Sequence, residues 1–341
     1  MIFLFNSLKY NLIKFNLNRF TMKFFTMILF GLFSITCFSQ TDSLTVKNQN
    51  DTLKSKIKKE NRFKVAGSVF ADSFLSVPGD FSAMGHTISS DWKRTALYTA
   101  GIIGLIAVDK QTTGFWHDKI EPNIDYSLPE IKSSIPHVVG TDSYIVYPII
   151  GLYAGSLIFN HEKGQVVAVN AVKSLAYSYV ITQIFLKTIT SRNRPQRKIN
   201  DDRPVVEPWT KNPWDFGNYD NIHFGHGGTG TSFPSFHATA YFAVAKVFQM
   251  EYNNYWIPYT FVTAVFLSDI KSHEHWVSDL LVGGLVGTII GRSVVISSRK
   301  QRAKRDKSNA FNYDPKKFTI NKQLIPQISS SMVGLHFIGT F

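Results

Sequence analysis

The chain has 341 residues, with 37 Lys and Arg against 24 Asp and Glu for a formal charge of +13; 44% of residues are hydrophobic, 18% are charged, and the mean hydropathy is -0.05. That length and apolar content fit one large domain or two small ones and exclude wholesale disorder, while the hydropathy is low for a chain that is mostly membrane-embedded. The single cysteine, Cys37, excludes an internal disulfide framework and a cysteine-rich zinc site.

Residues 1–40 carry Lys9, Lys14, Arg19 and Lys23 and no acid. Met22 and Lys23, an apolar run over 24–33, and small or polar residues to Gln40 follow the order of a secretory signal peptide. Cys37-Phe38-Ser39 is an acceptable cleavage context, Met22 is the better start, and the apolar run is short for a membrane anchor. Without residues 1–40 the basic count falls from 37 to 33 against 24 acids, and no cysteine remains. An exported, cysteine-free, moderately basic chain suits an anionic substrate or an anionic membrane surface as partner. No nucleic-acid-binding motif is present, so nucleic acid is not an expected partner.

Residues 41–62 are polar and lack aromatics, which predicts a flexible linker. In 63–91, the alternation of Phe63, Val65 and Val69 with Lys64, Ser68 and Phe70 predicts a short strand, and the Gly, Ser and Asp content of 80–91 predicts a loop. From Trp92 onward the texture is helical. Helices are predicted over 92–109, 143–160 (interrupted by Pro148), 165–187, 237–250 after a start signal at 232–235, 255–268 and 276–298. The expected fold is all-α, a bundle of about six helices over 92–298, with short β segments near the two ends of the mature chain. Of the uncharged runs, only 143–160 and 252–268 approach the ~20 residues of a membrane span, and each contains proline. Tyr144, Tyr147, Tyr252, Tyr255, Trp256 and Tyr259 suit a membrane interface or a packed core equally, so membrane-embedded and membrane-associated bundles both stay open. The tail, 299–341, opens with a basic run, Arg299 to Arg305, that reads as a solvated helix end. It closes with Val333, Leu335, Phe337 and Phe341 in an extended pattern. Two or three strands fall short of a membrane barrel, and a hairpin pairing 63–71 with 332–341 is expected instead.

Three clusters carry chemistry. In the first, Lys187 and Arg194-Pro195 end an apolar helix; Lys as a point charge and Arg as a two-donor fork together suit a phosphoryl group. In the second, Pro234-Ser235-Phe236-His237 opens a helix whose backbone N–H groups and Ser235 hydroxyl face an anion, with His237 placed to act as a general acid. In the third, His275 and Asp279 stand four apart on one helix face, where the carboxylate fixes the imidazole tautomer and leaves the other nitrogen free as a nucleophile. Each cluster alone is more simply a helix terminus, a cap or a structural His–Asp pair.

Together, in this order and spacing, the clusters resemble the type 2 phosphatidic acid phosphatase (PAP2) superfamily pattern K-x6-R-P, P-S-G-H and S-R-x5-H-x3-D, over roughly residues 92–298. The resemblance implies a helical bundle with a metal-independent phosphatase site and no cofactor. By motif position, Lys187, Arg194, Ser235 and the backbone N–H of Phe236 would bind phosphate. His275 would attack phosphorus, Asp279 would orient it, and His237 would protonate the leaving oxygen and then activate water. With the export signal, the resemblance implies a phosphatase of the bacterial cell envelope, facing the periplasm and membrane-embedded or membrane-associated. It would hydrolyse phosphomonoester or pyrophosphate groups of lipid phosphates, because the bundle is so apolar, or else small soluble phosphomonoesters. Two positions depart from the pattern. Phe236 replaces Gly, and Asp269 replaces Arg, a charge reversal worth about 4 kcal/mol at close range and intermediate dielectric. Arg192 and Arg197 are possible substitutes for the lost charge, whereas Lys271 would point elsewhere on a helix. The vanadium haloperoxidases of the same fold pattern are usually much longer chains with a further Lys/Arg-rich vanadate shell, and Asp269 disfavours binding a trivalent oxyanion.

Residues 196–231 hold Pro204, Pro208, Pro213 and a glycine run from Gly225, without the Lys-Ser/Thr of a nucleotide P-loop, and are expected to form a site-covering loop that sets substrate choice. His223, His226, His273, Glu274 and His275 do not have the HExxH spacing of a zinc hydrolase. A phosphate- or lipid-binding envelope protein with an impaired site is the non-enzymatic alternative.

Overall fold

The computed structural model describes residues 61–129, 131, 140–201, 204–219, 229–272, 274–311, 321–329 and 332–340. The signal-peptide and linker expectations for residues 1–60 lie outside them, as do His223, His226 and His273.

The described fold is helical, as expected. In chain order it comprises α1 (Arg62–Leu75), α2 (Val77–Ser89), α3 (Trp92–Ala107), α4 (Asp109–Phe115), α5 (Ser143–Ile158), α6 (Glu162–Ser178), α7 (Lys187–Thr190), α8 (Phe236–Tyr252), α9 (Trp256–Ser268) and α10 (Val277–Phe311). α5 runs on through Pro148. A π-helical stretch, Tyr179–Leu186, joins α6 to α7.

The expected strand at 63–71 is instead part of α1. Its buried residues Val65, Ala66, Val69 and Asp72 follow a helical spacing, and the Asn61 side chain caps it by accepting from the Phe63 N–H at 3.1 Å. The expected loop over 80–91 is mostly α2, which starts at Val77 with proline in its first turn and Asp80 favourably near its N-terminus. The pairing of 63–71 with 332–341 is therefore also corrected: β2 (Met332–Thr340) pairs antiparallel with β1 (Asn321–Ser329), from Asn321 opposite Thr340 to Ser329 opposite Met332.

The core is centred on α8, whose residues Ala240, Tyr241, Ala243, Ala245 and Val247 are buried. Val167 and Ala171 of α6, Val262 and Val265 of α9 and Val295 of α10 close around it. α10 approaches α8 through glycines one turn apart. A Cβ at Gly283 would stand 2.6 Å from the Ser235 carbonyl oxygen, and Cβ atoms at Gly287 and Gly291 would run into the carbonyls of Thr239 and Ala243. Only glycine permits this backbone approach. Gly287→Ala is expected to destabilise the fold by about 2 kcal/mol, the usual cost of overpacking. Gly67→Ala, at a position with open space around it, serves as the control in the same thermal melt.

The basic run is less solvated than expected. α10 continues through it, and Arg302 pairs with Glu251 (3.4 Å) while Arg305 pairs with Asp72 (2.8 Å) and Glu162 (2.7 Å). These contacts tie the end of α10 to α8, α1 and α6.

Candidate active site

Helix α6, the π stretch and α7 form one rod that ends where Ser191 takes a left-handed conformation (φ 43°). π insertions shift which side chains face inward. Here Gln183 and Lys187 are both buried, and the Lys187 ammonium donates to Gln183 Oε1 at 2.8 Å. Past the turn the chain is extended and pinned on both sides. Ser232 N–H donates to the Arg192 carbonyl (2.9 Å), Thr210 N–H to the Arg194 carbonyl (2.9 Å), and Gly230 N–H to Asn193 Oδ1 (2.9 Å). Gly230 has φ 73°, and a Cβ there would meet the Asn218 carbonyl at 2.8 Å. The described parts of the 196–231 loop thus lie along the first motif.

Ser235 caps α8 in an extended conformation (φ -65°, ψ 122°), its hydroxyl accepting from Ala238 N–H at 3.4 Å. Its own N–H donates to the Asp279 carbonyl at 3.0 Å, which joins the second motif to the third. A helix start leaves first-turn N–H groups without intrahelical acceptors, the arrangement that receives anions. The Phe236 ring packs edge-on against Tyr179 (5.9 Å between centroids) and against the His237 imidazole (5.5 Å).

His275 is buried just before α10, with Nδ1 3.4 Å from Asp279 Oδ2. The same oxygen accepts from Trp276 N–H (3.1 Å) and from the Ser232 hydroxyl, and Oδ1 pairs with Arg192 at 2.6 Å. Burial, reinforced by the Arg194 charge, holds the imidazole well below its ordinary pKa against the opposing pull of Asp279. It is therefore neutral near pH 7, the form that carries a nucleophilic lone pair. Arg194, bonded through Nε to Thr231 Oγ1 (3.1 Å), acts electrostatically on both His275 and Lys187. Burial and then Arg194 lower Lys187 to about 7. Arg192 is taken up by the buried carboxylates of Asp109 and Asp279, which leaves Lys187 and Arg194 as the cations that could face an anion.

His237 stands in a neighbouring polar group. Its Nε2 is 3.8 Å from Asp142 Oδ1, which also accepts from the Tyr241 hydroxyl at 2.8 Å. Thr141 bridges this group to Asp269, its hydroxyl 3.2 Å from the Tyr241 oxygen and 3.5 Å from Asp269 Oδ2. Asp269 is thus turned toward Thr141 and Tyr241. Neither proposed charge substitute is simply at hand. Arg192 is fully buried and committed to Asp109 and Asp279, and Arg197 is held by the Lys271 carbonyl (2.9 Å) and Glu121 (3.3 Å). Lys271 lies in a 3-10 turn, Ile270–Ser272, and not on a helix extending α9.

The sequence assigns no role to Asp109, Asp142 or Tyr241, and it places Ser232 at the helix-start signal and Ser278 beside Asp279 without giving either a partner. Asp109 leaves a trace as the first acid after the uncharged span 95–108. Among the described residues no group of three or more His, Cys, Asp and Glu could hold a metal ion.

Residues 168–303 match the family model described as the PAP2 superfamily. No curated protein and no solved structure gave a match.

Proposed function

From the premise that residues 168–303 are a PAP2 superfamily segment, we propose that the chain is a metal-independent phosphatase that works through a phosphohistidine. The observation that carries this reading is the buried His275, its Nδ1 3.4 Å from Asp279 Oδ2, with burial and the Arg194 charge disfavouring its cationic form. In the proposed reaction Lys187, Arg194, the Ser235 hydroxyl and the Phe236 N–H hold the phosphoryl oxygens. With Nδ1–H donated to Asp279, the Nε2 lone pair of His275 attacks phosphorus. The P–O bond to the leaving group breaks as His237 gives that oxygen a proton. Water, deprotonated by His237, then attacks the phosphohistidine. The P–N bond breaks, its electron pair returns to Nε2, and inorganic phosphate leaves.

The substrate favoured is a lipid phosphate. Large apolar side chains stand exposed on several helices: Phe74 at 79%, Trp92 and Leu97 at 72%, and Trp256 at 82%. Exposed apolar surface of this kind marks a membrane or partner contact. The segment Val277–Ser308 is one helix long and apolar enough to cross a membrane, though half of its apolar window is buried. With the signal-like residues 22–40, this supports a membrane-associated enzyme of the cell envelope. Small soluble phosphomonoesters are the alternative substrates.

The test is phosphate release by the full chain from a generic phosphomonoester in excess EDTA, beside His275→Ala. EDTA-resistant release lost in the variant is expected; full activity in the variant overturns the nucleophile assignment. A carbonate wash of membranes tests association, with retention arguing for an integral bundle.

Asp269 favours a second reading, an impaired site that binds phosphate without rapid turnover. Asp269→Asn removes a negative charge near an anion site and is expected to lower KM several-fold at low ionic strength, with less effect in high salt. A raised KM would instead make Asp269 a substrate contact.

A further inference from the structure

Beneath His275 and Asp279 lies a third layer of charge that the proposed reaction does not use. Asp109, the first residue of α4, is buried; its Oδ2 pairs with Arg192 Nη2 at 2.8 Å, and its Oδ1 accepts from Ser278 N–H at 3.0 Å. Arg192 Nη1 reaches Asp279 Oδ1 at 2.6 Å and the Ser278 hydroxyl at 2.8 Å. The structure assigns to Asp109 and Arg192 the positioning of the Asp279 carboxylate and, through it, the nucleophilic strength of His275. This inference rests on the phosphohistidine reading.

The arrangement divides the two oxygens of Asp279 between two tasks. Oδ1 takes the guanidinium, and Oδ2 is left to His275, Trp276 N–H and Ser232. The guanidinium is a rigid planar fork, so its placement fixes Oδ1 and hence the direction of Oδ2. It is held from every side: Nε and Nη2 donate to the Pro213 carbonyl (3.1 and 2.6 Å), and its carbon lies 4.9 Å from the Trp276 ring and 5.0 Å from that of Phe216. Charge matters beside geometry. An arginine paired with Asp279 alone would neutralise the carboxylate that steadies the charge developing on His275. Asp109 shares that guanidinium and leaves Asp279 more of its negative charge. Among the described residues the charged groups acting on His275 are Asp279, Arg194 and Lys187, and those touching Asp279 and Arg192 are the ones named.

A buried triad held only for fold stability is the contrary reading, since burying ions is costly unless every group is paired. A double-mutant cycle separates the two. Asp109→Asn in the full chain keeps an acceptor for Ser278 and removes the charge. It is expected to lower kcat about tenfold or more with KM within about twofold, because Lys187 and Arg194 still bind the phosphate. In an Asp279→Asn background the same change is expected to alter kcat by less than about twofold, since a residue that acts through Asp279 loses its effect with it. Arg192→Lys, which keeps the charge and loses the fork, is carried through the same cycle and decides the matter if Asp109→Asn does not fold. Thr113→Val removes the hydroxyl that accepts from Val277 N–H at 3.1 Å, without touching a charge, and is expected to lower thermal stability while kcat holds. Equal losses in both backgrounds, or a loss carried by KM, overturn the inference. A His275→Ala protein with full activity overturns the underlying reading instead.

Discussion

Replacing His275 by alanine is expected to lower phosphate release at least about a thousandfold, ~4 kcal/mol of transition-state stabilisation. The size follows from what the side chain supplies. The imidazole is neutral because burial and Arg194 disfavour its charged form, and its Nδ1 faces Asp279 Oδ2 at 3.4 Å. The described groups that act on it are engaged elsewhere: Lys187 donates to Gln183, Arg194 to Thr231, and Asp279 is occupied by Arg192, Ser232 and Trp276. Asp279→Asn leaves the nucleophile in place but permits the wrong tautomer, so a smaller loss, on the order of a hundredfold, is expected. Alkaline quenching of the enzyme during turnover of a labelled phosphomonoester checks the pathway directly. Label on His275 in the wild-type protein and none in His275→Ala is the expected result. Label that persists in the variant would move the nucleophile elsewhere.

The two clusters around the histidines also explain how far the sequence could be read. The helices of 92–298 were legible because their apolar runs are long and bounded by turns, and motif spacing is what drew attention to Lys187, Arg194, Ser235, His275 and Asp279 as candidates. The segment 62–89 was not legible. Phe63, Val65 and Val69 fit a period of two over so short a window, and only the burial of Ala66 and Asp72 reveals a period of 3.6. The partners of the motif residues were invisible for another reason. Arg192 meets Asp109 and Asp279 across 83 and 87 residues of chain, and a pairing that depends on tertiary packing leaves no local pattern. Arg192 therefore read as a spare cation when it is the centre of a buried ion network. The glycines at 283, 287 and 291 are similarly mute until α8 is placed against them.

Lys187 gives the site its expected pH dependence. Burial, followed by the repulsion of Arg194, lowers its ammonium to about 7, while Asp279 pulls the other way. An anion that binds beside it must restore the charge, so its pKa in the complex lies higher. Below about 7 the empty site is already cationic, and affinity is flat. Above that value the free site must take up a proton to bind, and affinity falls by up to about tenfold per pH unit until the pKa of the complex is reached. His275 adds no break between pH 5 and 8, because its own titration is pushed well below that range. Sulfate is the suitable probe, since it does not titrate there. Its inhibition constant against a phosphomonoester is expected to be level below pH 7 and to rise above it in the wild-type protein. Lys187→Met is expected to weaken sulfate binding at pH 6 by about thirtyfold to a hundredfold, the worth of a charged hydrogen bond, and to flatten the profile. Lys187→Arg, which stays charged, is expected to flatten it while keeping much of the affinity. A wild-type profile that is level through pH 9 would show either that the Lys187 ammonium is not lowered in the free site or that it does not touch the bound sulfate, and the Lys187→Met constant at pH 6 tells the two apart, because only an amine against the anion weakens binding when it is removed.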